Sequence, residues 1–314
     1  MQENRHTKIV FEAEKNITFE VSEGTNGEII IRASNVASNK TSHVELVDHY
    51  SKLYETPIIP EGYKHICGEW NSGFVIERQT DKSQFVWVPV GSLYPDGTLD
   101  GGKNFSEKFG RRNYQHDEFS DSGFCEALEG ELLEQYESVK KYGGFYISRY
   151  DISKSSKGKP QSVKGVMPWV NIYFDDAKEI AAMMEENETV KSHLIFGAEY
   201  DSVLAWFVKS KAKNLKDVAR DSAEWGNYIN TERSLQKVLL TGSSEKWCVN
   251  GIYDLTGNVS VLTQEENNKR MGYRVVRGGN FHQFGDICPA TFRTWITTYS
   301  SNLTTGFRVA LWIK

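Results

Sequence analysis

The sequence predicts an α+β fold. Three observations carry this prediction: apolar and polar residues alternate near both ends of the main body, three amphipathic helical patterns lie between them, and glycine-rich blocks punctuate the last third of the chain. Because the helices lie in the middle and the strands at both ends, we expect the two ends of the main domain to meet in one sheet.

The first 57 residues predict a small β-rich segment. The predicted elements are strands over 8–11, 17–21 and 28–32, a polar loop over 36–40 and a short helix over 43–54. Pro57 and Pro60 end any helix, since proline lacks an N–H and favours extended geometry before it. We therefore place a domain boundary between residues 57 and 58. The segment is small and polar, so we expect it to attach the protein to a partner or to a second copy.

Residues 58–314 predict a denser main domain. Its predicted elements are strands over 73–77 and 84–90, a long loop over 91–115, a helix from Asp121 or Ser122 to Val139, a strand over 145–152, helices that begin at Asp175 and Glu199, and strands over 251–261, 273–281 and 306–313. After Trp225 no pattern predicts a further helix.

Composition excludes several functional classes. The net charge is −5, and we interpret the two lysine-dense stretches, 154–164 and 209–216, as solvated faces, so the basic stripe of a nucleic-acid groove is missing. No apolar run approaches about 18 residues, which excludes membrane insertion. The first ten residues are polar and lack the apolar core of a signal peptide, so we expect synthesis in the cytoplasm without an export signal.

Familiar catalytic and metal motifs are absent from the sequence. Its four cysteines form no CxxC pair, its seven histidines have no metal-ligand spacing, and no phosphate loop, HExxH or GxSxG motif occurs. We therefore expect no catalytic residue, no metal ligand and no cofactor.

Several blocks occur in order along residues 61–314. The last three are the most specific: Tyr-Asp-Leu-Thr-Gly-Asn-Val at 253–259, Arg-Gly-Gly at 277–279 and Gly-Phe-Arg-Val-Ala at 306–310. Together they resemble the C-type-lectin-like fold shared by formylglycine-generating enzymes and by the variable proteins of diversity-generating retroelements. The sequence is thus expected to adopt this fold, preceded by the β-rich segment.

Physical reasons support the recurrence of such blocks. Gly257 and Asn258 suit a tight turn with positive φ, and Gly278-Gly279 permits a close approach of the backbone. Arg277 and Arg308 lie in apolar strands, so we expect them to pair with carboxylates or backbone carbonyls at the edge of the core.

The resemblance allows the residues that an enzyme of this family needs to be compared, one by one, with the residues of this sequence. In formylglycine-generating enzymes, two cysteines after the Arg-Gly-Gly block bind copper and oxidise a thiol. Counted from Gly278, the second falls on Cys288 and the first on Gln283, and glutamine cannot replace a thiolate in a soft copper site. Ser260-Val261-Leu262 also replace the family's Trp-Glu-Trp. We expect oxidase activity to be lost; calcium at the Gly257-Asn258 turn stays an unsupported alternative.

The resemblance to variable proteins implies a binding function instead. In those proteins the C-terminal segment carries adenine-directed substitutions, mostly at AAY codons, which cannot yield Lys, Glu, Gln, Met or Trp. Of these types, residues 281–305 contain Gln283 and Trp295 alone, although the rest of the chain is rich in Lys and Glu. This depletion predicts a variable region at 274–308.

Large and adaptable side chains in this region predict a ligand-binding surface. The candidate residues are His282, Gln283, Phe284, Asp286, Ile287, Cys288, Thr294, Trp295, Ile296, Thr298 and Tyr299. We expect Phe281 and Phe292 to face inward. The expected partner is a protein or glycan on a host or target cell, with attachment to phage structural proteins and self-association as further expectations. A purely structural virion protein and an altered copper oxidase are the alternatives.

Overall fold

The chain divides into two compact units, Met1–His49 and Tyr50–Lys314. A computed structural model describes the second unit over residues 57–90, 126, 129–232, 234–266 and 271–314, and the first unit through the backbone of three strands. The predicted strand at 8–11, the predicted helix after residue 43 and the predicted long loop at 91–115 lie outside the described residues.

The first unit contains a three-stranded antiparallel sheet in the order β1-β2-β3. The strands are β1 Ile17–Glu23, β2 Ile29–Asn35 and β3 Ser38–His43. The predicted strands over 17–21 and 28–32 are confirmed, and they pair antiparallel with Val21 opposite Ile31. The predicted loop over 36–40 is wrong from Ser38 onward, because this polar run pairs with the outer edge of β2.

A six-stranded sheet forms the centre of the second unit. Its strands are β4 Tyr63–Cys67, β5 Val75–Arg78, β6 Gln84–Pro89, β7 Gly144–Ser148, β10 Val190–Leu194 and β17 Val309–Ile313. The order is β10-β17-β7-β6-β5-β4, and every neighbouring pair is antiparallel. The prediction that both ends of the main domain meet in one sheet is confirmed, since β4 near its start and β17 at its end belong to this sheet.

A second, four-stranded sheet carries the end of the chain. Its strands are β13 Ser260–Glu266, β14 Tyr273–Arg277, β15 Arg293–Thr297 and β16 Thr305–Phe307, in the order β15-β14-β13-β16. The β13–β16 pair is parallel and the other two pairs are antiparallel. Two short ladders complete the unit: β8 Ser153–Lys154 with β9 Pro160–Gln161, and β11 Cys248–Val249 with β12 Ile252–Tyr253.

Four α-helices pack around these sheets in the described part of the chain. They are α1 Gly130–Tyr142, α2 Phe174–Ala182, α3 Gly197–Lys209 and α4 Leu215–Ala219, with 3₁₀ turns at Ala223–Trp225 and Glu245–Trp247. None of the helices seen over the described ranges is long and apolar enough to cross a bilayer.

Three predicted helices are confirmed, but their boundaries shift. The first starts at Gly130, while its predicted capping residues Asp121 and Ser122 lie outside the described residues, and α4 was not predicted. The second follows Tyr173, so Asp175 lies in the first turn, where the helix dipole favours acidic side chains, and does not cap. The third begins before Glu199, whose carboxylate accepts the Phe196 N–H. The strand predicted over 145–152 ends at Ser148.

Hydrophobic side chains cover both faces of the six-stranded sheet. Along β6, Val86 and Val88 belong to the core beneath α1 and α3, while Phe85 and Trp87 belong to the core beneath α2. All four are fully or almost fully buried. Since successive strand residues point to opposite faces, this continuous apolar run is the pattern of a strand buried on both sides.

Candidate functional site

One buried carboxylate fixes the two strands that flank the late loop, residues 280–290. Asp201 on α3 accepts two hydrogen bonds. One comes from Arg277 Nη2 of β14 at 2.7 Å, and the other comes from Arg293 Nη2 of β15 at 2.5 Å. All three side chains are 0% exposed. The expected pairing of Arg277 with a carboxylate is confirmed, although the pair lies deep in the core rather than at its edge. Charge-assisted bonds of this kind hold both ends of the loop in register.

Two glycines turn the chain out of β14 into the loop. Gly278 has φ +81° and Gly279 has φ +64°, in the left-handed region that favours glycine. A Cβ on Gly278 would lie 2.5 Å from Tyr200 Oη, and one on Gly279 would lie 2.5 Å from the Cys288 carbonyl oxygen. The expected close approach of the backbone is therefore confirmed.

Asn280 organises the beginning of the loop. Its Oδ1 accepts the His282 N–H at 3.0 Å, and its Nδ2 donates to Gln283 Oε1 and to Ser260 Oγ, both at 3.1 Å. The Gln283 N–H closes the turn onto the Asn280 carbonyl. These bonds fix the backbone from which His282 and Phe284 project.

A second anchor comes from residues 222–231, which precede the loop by more than fifty positions. The Ile229 N–H donates to the Gln283 carbonyl at 2.9 Å, and the Gly285 N–H donates to Asn230 Oδ1 at 2.9 Å. Asn230 is exposed and its Nδ2 also reaches Asp286 Oδ1 at 3.3 Å. Asn230 therefore shares the surface with the loop, although sequence reasoning did not identify it.

The structure divides the eleven candidate residues into three groups. His282, Phe284, Asp286, Ile287 and Tyr299 are exposed, with values of 44% for Phe284, 65% for Ile287 and 77% for Tyr299. Five are half-buried: Gln283, Thr294, Trp295, Ile296 and Thr298. Cys288 is buried, so its placement on a surface is corrected.

Burial of the remaining residues has physical causes. The Cys288 N–H bonds to the Phe284 carbonyl at 2.8 Å and its own carbonyl accepts Tyr228 Oη, which turns the thiol inward. Ile296 packs against the core beneath α2. Phe281 is buried, as expected, whereas Phe292 is half-buried and does not fully face inward.

The residues at the family's copper positions do not fit a two-thiolate site. Gln283 offers an amide whose oxygen already accepts from Asn280, and Cys288 is the single thiol of the pair. No group of three His, Cys, Asp or Glu side chains within the described ranges is arranged to hold a metal ion. Soft copper coordination needs the missing thiolate.

The Gly257-Asn258 turn has the expected positive φ angles, +69° and +49°. The Asn258 Oδ1 accepts the Leu239 N–H at 2.9 Å and Asn227 Nδ2 at 3.1 Å, while its Nδ2 donates to the Leu239 carbonyl. This side chain is thus committed to protein hydrogen bonds and does not present its oxygen to calcium.

Arg308, predicted to pair with carboxylates or carbonyls, does both and is fully buried. Its Nε lies 3.0 Å from Asp151 Oδ1, and its two Nη atoms donate to the carbonyls of Ser148 and Tyr253. Burial raises the pKa of Asp151 to about 7, against the opposing charge of Arg308. The adjacent Asp254 behaves likewise, because burial raises its pKa to about 6. These groups lie inside the fold.

Comparison with solved structures finds similarity to "Structure of PvdO from Pseudomonas aeruginosa" at 15% identity, covering 76% of this chain and 97% of that one, with a TM-score of 0.45. "Crystal Structure of CarF" is similar at 16% identity, covering 55% and 87%, with a TM-score of 0.38. "Treponema denticola variable protein 1" is similar at 14% identity, covering 80% and 99%, with a TM-score of 0.31. No curated protein matches the sequence.

The sequence itself matches a protein family over most of its length. Residues 75–313 match the Sulfatase-modifying factor enzyme 1-like domain. The matched range runs from β5 to β17 and contains all four strands of the second sheet. The predicted α+β fold and family resemblance are thereby confirmed: this chain belongs to the family of the Sulfatase-modifying factor enzyme 1-like domain.

Proposed function

We propose that this protein is a non-enzymatic ligand-binding protein. Its recognition surface consists of His282, Phe284, Asp286 and Ile287 on the late loop, with Tyr299, which lies at the other end of the β14–β15 hairpin, as a further contact. One observation carries the proposal: Phe284 and Ile287 are exposed on a loop whose backbone is fixed at both ends by buried bonds. A fixed backbone reduces the ordering entropy that binding costs.

The chemistry of the recognition surface suits a protein or glycan partner. Phe284, Ile287 and Tyr299 offer apolar contact area, while His282, Asp286 and the neighbouring Asn230 offer hydrogen bonds. Aromatic anchors among adaptable polar groups are typical of binding sites in which a few residues supply most of the affinity.

The composition of residues 281–305 supports diversification by a retroelement. Lys, Glu and Met are absent there, and the exposed positions are of types that AAY-directed substitution can reach. A nearby copy of the DNA encoding residues 274–308, differing at adenines and adjacent to a reverse transcriptase gene, is the expected genomic signature. In this proposal, the first unit attaches the protein to a phage particle and the recognition surface binds a host cell.

Binding to a panel of intact bacterial cells tests the proposal. The variant H282A/F284A/I287A/Y299A should lose binding by about tenfold or more, because such anchors each contribute upward of about 1 kcal/mol. The matched control M167A/Y173A/L215A/L235A truncates four other exposed apolar side chains and should bind normally. Equal binding by both variants would favour a structural virion protein, provided thermal unfolding shows that both are folded.

An altered copper oxidase is the alternative function, and family membership together with Cys288 at the second copper position favours it. The substitution of the first position by Gln283 weighs against it, because one thiolate cannot provide the expected pair of soft ligands.

A further inference from the structure

A second concave site lies away from the recognition surface. The basic groove has a volume of about 530 Å³ and lies between the β5–β6 turn, the β8–β9 hairpin and the residues after α2. It is lined by Arg78, Thr80, Asp81, Ser155, Ser156, Lys157, Lys159, Pro160, Gln161, Met183 and Met184. None of these residues belongs to the predicted variable region.

The charged groups on the groove floor, one arginine and two carboxylates, bond to one another and carry a net charge of −1. Arg78 Nε donates to Asp81 Oδ1 at 2.9 Å, and its Nη1 donates to Glu185 Oε2 at 3.2 Å. Ser83 occupies both remaining acceptor positions of Asp81, through its N–H and its hydroxyl, each at 3.0 Å. The pKa of Asp81 is lowered, since the bonds from Arg78 and Ser83 outweigh the effect of burial. Neither carboxylate is therefore available to an incoming cation.

Two lysines of the hairpin remain without a carboxylate. Lys164 pairs with Glu245 at 2.5 Å, and Lys154 Nζ lies 5.0 Å from the centre of the Trp169 ring. Lys157 and Lys159 are exposed and form no ion pair within the described part of the chain. Residues 152–174 contain four lysines and no acidic residue. The two rim lysines therefore outweigh the single net negative charge of the floor and give the groove a net charge of +1.

Hydroxyl and apolar groups surround this charge. Thr80 and Ser156 lie at the groove, while Pro160 and the 68% exposed Met183 supply apolar contact. A sugar ring presents hydroxyl groups at its edge and C–H groups on its face, which matches this mixture. The volume lies in the range of about 300–1,000 Å³ of pockets that enclose small ligands, whereas a stable protein partner needs about 800 Å² of surface on each side.

We propose that the basic groove binds an anionic saccharide, with Lys157 and Lys159 holding its sulfate or carboxylate group. Ammonium groups act as point charges towards such anions. The site uses other residues than the recognition surface, so the proposal stands independently of the function proposed above.

Titration of the full chain with defined oligosaccharides tests this inference. The probes are a sulfated hexasaccharide, an oligogalacturonate of equal length, a neutral dextran and inorganic polyphosphate. We expect saturable binding of a charged sugar that weakens with added salt and exceeds the binding of dextran. K157Q/K159Q should weaken it about fivefold to thirtyfold, because two exposed charge contacts are lost.

Two matched variants make the result specific. K211Q/K216Q removes two exposed lysines elsewhere and should bind the charged sugar as the parent does. H282A/F284A/I287A/Y299A should also bind it normally, which separates the groove from the recognition surface. Equal loss in K157Q/K159Q and K211Q/K216Q, equal binding of dextran, tighter binding of polyphosphate than of either charged sugar, or no saturable binding would overturn the proposal.

Discussion

Asp151 and Asp254 are carboxylic acids in buried positions, where ionisation is unfavourable because the charged form loses its hydration. Both are essentially unexposed. Arg308 opposes the effect of burial on Asp151, and the Gly242 N–H, Arg308 and Lys164 oppose it on Asp254. Their pKa values are nevertheless raised, to about 7 and about 6, because desolvation outweighs these attractions. The folded state therefore retains protons that the unfolded chain releases near pH 4.

This retention predicts a pH dependence of stability. Between pH 4 and pH 7 the folded protein binds more protons at these two groups than the unfolded chain, so their contribution to the free energy of unfolding falls as pH rises. D151N should flatten the decline, measured by urea unfolding at a series of pH values. D286N, at an exposed position, serves as the control and should follow the parent curve. A D151N curve parallel to that of the parent would contradict the assignment.

The burial of single residues was predicted in part. Phe281 is buried as predicted, but it lies after the end of β14 and its neighbour Asn280 is buried too, so strand alternation is not the reason. Arg277 pairs with a carboxylate, as predicted. The identity of that carboxylate could not be predicted, because Asp201 is 76 residues away on a helix and also binds Arg293. Phe292 is half-buried because it belongs to the irregular approach to β15 and not to a regular strand.

At the scale of elements, the turn out of β14 determines where the late loop begins. Gly279 combines a left-handed φ with a close approach to the Cys288 carbonyl. A side chain there would meet backbone atoms, which cannot move aside as a flexible side chain can.

G279A should therefore lower the free energy of unfolding by more than the strain of a positive φ alone would. An alanine in the left-handed region costs about 1–2 kcal/mol, and the contact with the Cys288 carbonyl should add to it. G165A separates the two effects, since Gly165 has φ +81° and a Cβ there has nothing within 4 Å. We expect G279A to lower the free energy of unfolding in urea clearly more than G165A. Equal values would show that the contact relaxes freely.

The existence of the main elements was predictable from periodicity, whereas their limits were not. The apolar spacing along 128–139 indicated α1, but the helix starts only at Gly130, after Glu129 in extended geometry. α4 spans five residues and is too short to show an amphipathic period. β3 was missed because its polar sequence lacks the alternation that marks a half-buried strand.

For the whole molecule, the ordered blocks of the last third were the decisive sequence signal. They correctly indicated the fold because each meets a backbone requirement: positive φ at 257 and 258, close packing at 278 and 279, and buried pairing at Arg308. The basic groove could not be predicted, since three separate segments build it and the lysines alone were interpreted as solvated.

The loss of the first copper thiol predicts the behaviour of the whole chain towards copper. Titration of the reduced protein with Cu(I) should show no stoichiometric site that depends on Cys288, because a single buried thiol lacks its partner. C288A should therefore titrate as the parent does, while C67A measures the weak binding that one exposed thiol contributes. One equivalent bound by the parent and lost in C288A would instead support the oxidase.

The position of β17 has a consequence for synthesis. This strand lies between β10 and β7, yet it is translated after every other strand of its sheet. While the ribosome is still making residues 274–308, the position between β10 and β7 is empty and the sheet is incomplete. A chain that ends before Val309 therefore lacks the strand that joins β10 to the rest of the sheet and should be degraded by proteases faster than the full chain.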